Sequence, residues 1–352
     1  MPTIDSDAHV IETPATWGYM EGLDLVHQPV TISTPAGEPM EGRAQKQTEF
    51  WGIDGRLIER ERNIGLDTDR GARELSDIDK RLAHMDELTI DVQVLYPSLF
   101  LRPITRRPEA ELALIQSYNL WLADIWKAGG GRLRWAAMAP LQSLGDPGLV
   151  RAELDLCKAN GACGIFMCGL AYDRQLTEPY FYPLYEIAQD LNLPICFHAG
   201  NDSAAVHDFF VDGDGLSKFK FPVIGTFHSL MLQEVPAMFP ELRWAFVETG
   251  SAWLPYVLGE LSRRFKRRGR RIPDDPMGDN NFYVACQVNE DIEYIAGIAG
   301  HDRLVVGTDY GHHDTSTEIE AMRLMKEKSN IAPEIIDNIL GANACALYGL
   351  DP

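Results

Sequence analysis

Asp5-Ser6-Asp7-Ala8-His9 stands close to one end of this 352-residue chain, and Gly307-Thr308-Asp309-Tyr310 stands near the other. Each stretch ends in residues that can bind a metal ion. On a strand, Asp7 and His9 point the same way because side chains alternate with period 2. A metal ion bound by Asp7, His9 and Asp309 would join the first and last strands. The pattern therefore predicts a sheet that closes on itself.

Strand-like and helix-like segments alternate along the chain, which is typical of an α/β protein. The predicted strands cover residues 3–8, 92–96, 134–138, 162–167, 194–198, 243–248, 282–286 and 304–309. Strands that alternate with helices predict parallel βαβ units, and eight units predict a (β/α)8 TIM barrel, here one domain over residues 1–352. An irregular insertion, residues 13–73, follows the first strand and is predicted to cover the active-site face. It contains a hairpin with an Asp54-Gly55 turn.

Potential metal ligands lie at four of the predicted strand ends. The first strand ends in Asp7 and His9, the fifth in His198, the sixth in Glu248 and the eighth in Asp309. The C-terminal strand ends of such a barrel form the active site, so these five side chains should meet. Imidazole and carboxylate groups suit iron, zinc or manganese. We expect one or two divalent ions per chain, with Asp309 accepting a proton from a metal-bound water.

Three further histidines are candidates for the site. His228, in the helical stretch before the sixth strand, is a candidate acid for protonating a leaving group; a helix-surface or buried hydrogen-bonding role is the alternative. His312 follows Asp309 in the last barrel loop and is predicted to contact the substrate. His207 lies in the long loop 199–222, and long loops on this face commonly cover substrates. We therefore expect His207 to bind substrate as part of a lid.

The net charge of −20 disfavours nucleic acid and anionic membranes as partners and leaves a small-molecule substrate. The six cysteines form no CxxC pair, as expected for reduced thiols of a cytoplasmic protein. No signal peptide and no apolar run of membrane-spanning length is recognisable. The basic run 263–271 fits the cationic end of a helix. An anchor for the phosphates of a coenzyme-bound acyl substrate is its alternative.

These residues resemble the amidohydrolase superfamily, in particular the branch that contains aminocarboxymuconate-semialdehyde decarboxylase and the resorcylate-type decarboxylases. The matching positions are the Asp7-Ala8-His9 opening, His198 before Ala199-Gly200, and Asp309 between Thr308 and Tyr310. The run 238–247 is similar to that branch's approach to strand six. The resemblance covers nearly the whole chain. It implies a metal-dependent enzyme and, as is usual in similar proteins, a homodimer.

One departure separates this chain from those decarboxylases. They end strand six in a histidine that serves as acid and base, whereas this chain has Glu248. A carboxyl group replaces an imidazolium as proton donor at neutral pH only if its pKa is raised, but it can ligate or bridge metal ions. Strand four ends in Cys168, with no lysine to bridge two metals.

The departure favours hydrolysis of an acyl bond (ester, thioester or amide) by a metal-bound hydroxide. Non-oxidative decarboxylation of an aromatic or unsaturated acid is the alternative. A third possibility is a barrel that keeps its metal only for stability or binding.

Overall fold

Eight parallel strands form one sheet in the order in which they occur along the chain. The computed structural model describes residues 1–34, 49–60, 63–65, 67–210 and 215–351. The predicted insertion 13–73 and the predicted lid 199–222 lie partly outside these described residues. The strands are β1 (Ile4–Val10), β2 (Val92–Pro97), β3 (Leu133–Met138), β4 (Ala162–Cys168), β5 (Ile195–His198), β6 (Trp244–Val247), β7 (Phe282–Cys286) and β8 (Leu304–Val306).

The first and last strands meet and close the barrel. The Asp309 N–H donates to the carbonyl oxygen of Asp7 at 2.8 Å, and the His9 N–H donates to the carbonyl oxygen of Tyr310 at 2.9 Å. Ala8 and Tyr310 form a parallel bridge between these segments. This closure confirms the predicted (β/α)8 barrel and places Asp7 beside Asp309.

Helices connect the strands and cover the barrel from outside. The α-helices in the described part of the chain span Arg70–Arg73, Ile78–Glu87, Pro108–Ala128, Pro147–Ala159, Tyr182–Asp190, Ala204–Phe209, Phe221–Leu232, Leu254–Arg267, Ile292–Ala299, Ala321–Lys326, Pro333–Asp337 and Asn343–Tyr348. Almost all residues of the eight barrel strands are buried, including Trp135, Phe197 and Trp244. Among the described residues, no helix has the length and apolarity needed to cross a membrane.

A small antiparallel sheet lies in the insertion after β1. Its strands are Val30–Ser33, Glu49–Ile53 and Arg56–Glu59. Asp54 and Gly55 join the last two strands with φ angles of 45° and 78°, the left-handed conformation that a tight hairpin turn requires. The predicted Asp-Gly hairpin is confirmed.

Two strands end earlier than the sequence predicts. Strand β6 ends at Val247, because the next residue, Glu248, adopts a left-handed backbone conformation with φ of 60°; β8 ends at Val306, and Asp309, three residues further on, has φ of 53°. A β-strand cannot continue through that region of backbone space. Both carboxylates therefore stand on the first turns after their strands. All six cysteines are buried and free, as predicted.

Candidate metal centre

Two histidines at the C-terminal end of the barrel leave one ring nitrogen free for a metal. His9 Nδ1 lies 3.1 Å from the carbonyl oxygen of Pro97, and His198 Nδ1 lies 3.0 Å from that of Ala199. A carbonyl oxygen only accepts hydrogen bonds, so both Nδ1 atoms carry hydrogen. Burial lowers the pKa of His9 well below its usual value, which keeps this ring neutral. In the neutral tautomer that results, Nε2 has a lone pair and no hydrogen.

The Nε2 atoms of the two histidines converge with a carboxylate oxygen. His9 Nε2 and His198 Nε2 are 3.1 Å apart, and Asp7 Oδ1 is 3.1 Å from His198 Nε2 and 3.6 Å from His9 Nε2. Asp309 Oδ1 is 3.5 Å from His9 Nε2. His9 Nε2, which carries no hydrogen, thus lies among a second imidazole nitrogen and two carboxylate oxygens, an arrangement that a cation between them would stabilise. Two imidazoles and two carboxylates are a suitable donor set for divalent zinc, iron or manganese.

Asp309 is held by hydrogen bonds on both oxygens. Its Oδ1 lies 2.9 Å from His312 Nδ1, and its Oδ2 accepts from the Thr317 hydroxyl at 2.7 Å. His312 Nε2 lies 2.7 Å from Ser98 Oγ, whose one hydrogen goes to the carbonyl oxygen of Val10. His312 Nε2 must therefore donate as well, which makes His312 a cation.

The pKa shifts of this pair agree with that assignment. Burial acts to lower the pKa of His312, but the charge of Asp309 and their hydrogen bond outweigh it and the net shift is upward. Burial raises the pKa of Asp309 to about 6. His312 also stacks on His9, with ring centroids 3.8 Å apart. His312 lines the cavity described below and also positions Asp309 and His9, and its contact with a substrate stays a prediction.

Glu248 lies on the other side of His198. Its Oε2 is 3.1 Å from His198 Nδ1, but that nitrogen directs its hydrogen to Ala199, and Oε2 finds no hydrogen-bond partner among the residues that the structure describes. Burial, and then the charges of Asp309 and Asp314, raise the pKa of Glu248 well above its usual value. The five predicted ligands are thus brought together: Glu248 lies beside His198, and one of its oxygens is within 4.8 Å of an oxygen of Asp309.

A buried network supports the strands that carry the ligands. Arg81 donates to Gln93 Oε1 at 2.6 Å and to the carbonyl oxygen of His9 at 3.3 Å. Gln93 donates to Asp5 Oδ2 at 2.9 Å, and Asp5 accepts from the Thr308 N–H and hydroxyl at 2.9 and 2.6 Å. Burial raises the pKa of Asp5 to about 6. The network ties β1 to β2 and to the segment before Asp309.

A cavity of about 730 Å³ lies at the C-terminal end of the barrel, and Glu248 is the one candidate ligand that lines it. The insertion contributes Trp51 and Ile58 to its wall, and the loop after β5 contributes His207 and Lys218. His207 therefore lies where a substrate-binding residue is predicted, and it is half-buried. Further lining residues from the last barrel loop are His312, His313, Asp314 and Thr315.

Glu12 is a cavity residue that the strand-end analysis does not find. It is 2 % exposed and accepts from the N–H groups of Ser98 and Leu99, each at 3.0 Å. Burial raises its pKa to about 7. Glu12 lies two residues beyond β1, so no strand pattern marks it. The available sequence signal is its place directly after the apolar pair Val10-Ile11 that ends the first strand.

His228 is not part of the centre. It lies half-buried on the helix Phe221–Leu232, where burial and the nearby Arg264 lower its pKa. Arg264 and its neighbour Glu260 belong to Leu254–Arg267, a helix of the outer layer. The predicted role of His228 as a catalytic acid is corrected, because its helix face is directed to another helix and not to the cavity.

The basic run 263–271 forms the end of the helix Leu254–Arg267. Arg263 is ion-paired with Glu260, and Arg270 with Glu234. None of the residues that line the cavity described above comes from this run. The helix-end interpretation is therefore favoured over the phosphate anchor.

The family model for amidohydrolases matches residues 4–350. The chain belongs to this amidohydrolase family, as its resemblance implies. A comparison with curated proteins gives no match.

Solved structures of amidohydrolase-type enzymes share the fold. An amidohydrolase from Mycobacterium avium subsp. paratuberculosis is 19% identical with a TM-score of 0.77 and covers 99% of both chains. A 4-oxalomesaconate hydratase from Rhodopseudomonas palustris is 18% identical with a TM-score of 0.66 and covers 99% of this chain and 95% of its own. A 5-carboxyvanillate decarboxylase from Novosphingobium aromaticivorans, complexed with manganese and a nitrobenzoic acid, is 21% identical with a TM-score of 0.63. The match covers 77% of this chain and 80% of the decarboxylase chain. At these identities the likeness shows the common barrel.

Proposed function

We propose that this protein is a metal-dependent enzyme that hydrolyses an acyl bond (ester, thioester or amide) of a small molecule. The observation that carries the proposal is the convergence of His9 Nε2, His198 Nε2 and Asp7 Oδ1 beside Asp309, at the end of the barrel where the cavity lies. Membership of the amidohydrolase family supports it. A divalent iron, zinc or manganese ion held by these four residues would lower the pKa of bound water and polarise a carbonyl group.

Asp309 is the proton acceptor in this proposal. Its two oxygens are oriented by His312 and Thr317, so the carboxylate is fixed before substrate arrives. The positive charge of His312 balances the negative charge of Asp309 until Asp309 accepts the proton. The raised pKa of Asp309, about 6, makes it a better base than an exposed aspartate.

In the same proposal, the residues that line the cavity bind the substrate. Trp51, Ile58 and Leu99 form apolar surface, whereas His207 and Lys218 present polar groups from the loop after β5. An apolar wall with a few polar groups is the usual form of a small-molecule site. We also propose that two chains form a dimer, as in proteins of the branch that the sequence resembles.

Decarboxylation of an aromatic or unsaturated acid is the second candidate, and one observation favours it. Glu248 occupies the strand-six position of the acid/base histidine, and its raised pKa lets the carboxyl group hold a proton beside the site. A decarboxylase with bound manganese shares the fold. Glu248 therefore has two competing roles: it donates a proton to carbon in this candidate, or it acts as a metal ligand.

The first experiment measures metal content by elemental mass spectrometry in freshly purified protein. A panel of esters, thioesters, amides and carboxylic acids is then incubated with the protein in ¹⁸O-labelled water. Hydrolysis places ¹⁸O in the carboxyl group of the organic product, whereas decarboxylation releases carbon dioxide and leaves no label in that product. Metal-free protein that stays fully active would contradict both candidates.

A further inference from the structure

We propose that Tyr348, on the last helix of the chain, positions the metal ligand Asp7 by holding a β-bulge in strand β1. This inference rests on the proposed metal site and names a residue that supports it from a distant part of the sequence. Tyr348 ends the helix Asn343–Tyr348 and is fully buried. Its hydroxyl group donates to a backbone carbonyl of β1, so its role is to position Asp7 and not to bind the ion.

Strand β1 contains one residue more than its neighbour over the stretch that carries Asp7. Asp5 pairs with Gln93 and Ala8 pairs with Leu95, so three steps along β1 stand opposite two steps along β2. An extra residue of this kind is a β-bulge, which bends the strand locally and re-aims a side chain, often beside an active site. The bulge falls between Asp5 and Ala8 and therefore sets the direction of the Asp7 carboxylate.

Two side chains hold the peptide group at the centre of the bulge. The Tyr348 hydroxyl donates to the carbonyl oxygen of Ser6 at 3.0 Å. The Asp7 N–H, which belongs to the same peptide group, donates to Asp5 Oδ1 at 3.2 Å. A buried carbonyl needs a donor, and at Ser6 the last helix provides it. The peptide group that precedes the Asp7 side chain is thus fixed at both its oxygen and its nitrogen.

A second tyrosine orients the hydroxyl group of Tyr348. The hydroxyl oxygens of Tyr96 and Tyr348 are 3.0 Å apart, and both residues are fully buried. Because the one hydrogen of the Tyr348 hydroxyl goes to Ser6, Tyr96 is the donor in this bond. The Tyr96 ring also packs on the His198 ring, with centroids 4.9 Å apart. The two tyrosines therefore join the last helix to β1 and β2 beside the candidate metal centre.

The segment after β8 accommodates the bulge because residue 307 is a glycine. A Cβ atom on Gly307 would lie 2.2 Å from the Cβ of Asp7 and 2.8 Å from its backbone nitrogen. Only a residue without a side chain permits an approach this close. Gly307 therefore admits the bulge, and Tyr348 fixes its orientation.

The test measures Mn²⁺ binding to chelator-treated, dialysed protein by electron paramagnetic resonance, because Mn²⁺ is one of the ions that suit the donor set. Tyr348→Phe keeps the ring and removes the hydroxyl. It is expected to raise the dissociation constant about tenfold and to change the spectrum of the bound ion at saturation. Tyr185→Phe is the matched control, since Tyr185 is also fully buried and its hydroxyl donates to the carbonyl oxygen of Leu176 at 2.6 Å. This control should keep the wild-type dissociation constant and spectrum.

Each other outcome contradicts a defined part of the reasoning. A Tyr348→Phe variant that keeps either the wild-type dissociation constant or the wild-type spectrum overturns the inference and leaves the proposed function intact. Equal weakening in Tyr185→Phe overturns it as well, because the effect is then one of general stability. Wild type that binds no Mn²⁺ overturns the metal site and the proposed function with it. If Tyr348→Phe is unfolded by circular dichroism, Tyr96→Phe takes its place; it should weaken binding by a smaller factor, and unchanged binding overturns the inference.

Discussion

Replacing Arg81 by Met tests how the barrel supports its metal ligands. Arg81 is fully buried and donates to Gln93 Oε1 at 2.6 Å and to the carbonyl oxygens of His9 and Ala72 at 3.3 Å. Its guanidinium group also lies over the Tyr310 ring, 3.6 Å from the centroid. Methionine fills a similar apolar volume but provides no donor, so three buried acceptors lose their partner.

The expected loss follows from these three acceptors. A buried acceptor left without a donor costs about 1–3 kcal/mol; the short bond to Gln93 is assigned about 2 kcal/mol and the two longer bonds about 1 kcal/mol each. Burial of the methionine side chain roughly offsets the lost contact with Tyr310. Arg81→Met should therefore lower the free energy of unfolding by about 4 kcal/mol.

The assay is urea unfolding at pH 7 in the presence of a chelator, so that metal binding does not contribute. Arg81→Lys is the matched variant, because it keeps a positive charge but has a single donor group in place of the planar fork. We expect Arg81→Lys to lower the free energy of unfolding by about half as much, about 2 kcal/mol. A free energy of unfolding of Arg81→Met within about 1 kcal/mol of the wild-type value would refute the view that this network supports β1.

Three more predictions concern other parts of the molecule. Asp309→Asn should abolish turnover of any substrate found, and a fully active variant would exclude Asp309 as the base. His228→Gln should change the free energy of unfolding by less than about 1 kcal/mol in urea and leave Mn²⁺ binding unchanged, since this residue is half-buried on an outer helix; loss of turnover with stability unchanged would restore His228 as a catalytic candidate. Burial raises the pKa of Glu111 from 4.5 to about 7, so the folded state retains a proton that the unfolded chain releases. Its stabilising contribution is complete below pH 4.5 and is lost as the pH rises through 7, by up to about 3 kcal/mol. The free energy of unfolding of Glu111→Gln relative to wild type should therefore rise over this range, and a difference independent of pH would contradict the assignment.

The barrel and the meeting of the five candidate ligands at one end of it are predictable from the sequence, because both depend on local patterns. Alternation of side chains along a strand puts Asp7 and His9 on one side, and the rule that strand ends meet brings His198 and Asp309 to them. Neither step needs the packing of side chains. The free cysteines and the Asp54-Gly55 turn are predicted on equally local grounds.

The remaining features depend on contacts between distant segments, which the sequence pattern does not contain. The cationic state of His312 follows from Ser98, which is 214 residues away in sequence. The helical pattern around His228 does not identify which face of the helix is directed to the barrel. Glu12 and Asp314 stand beyond the strand ends, where no periodicity marks a residue as buried or exposed. Their positions are set by loop conformation, and only the structure provides it.

The closure between Asp7 and Asp309 has a consequence for how the chain is made. A ribosome adds about 5–20 residues per second, so roughly 15–60 s separate the synthesis of these two residues. Throughout that interval the hydrogen-bonding edge of β1 has no β8 to pair with, and an unpaired edge is a template for aggregation. The nascent chain therefore needs its partial barrel shielded until the last strand leaves the exit tunnel. Because no earlier fragment contains all four proposed ligands, a metal ion bound by them would be acquired only after Asp309 has been synthesised.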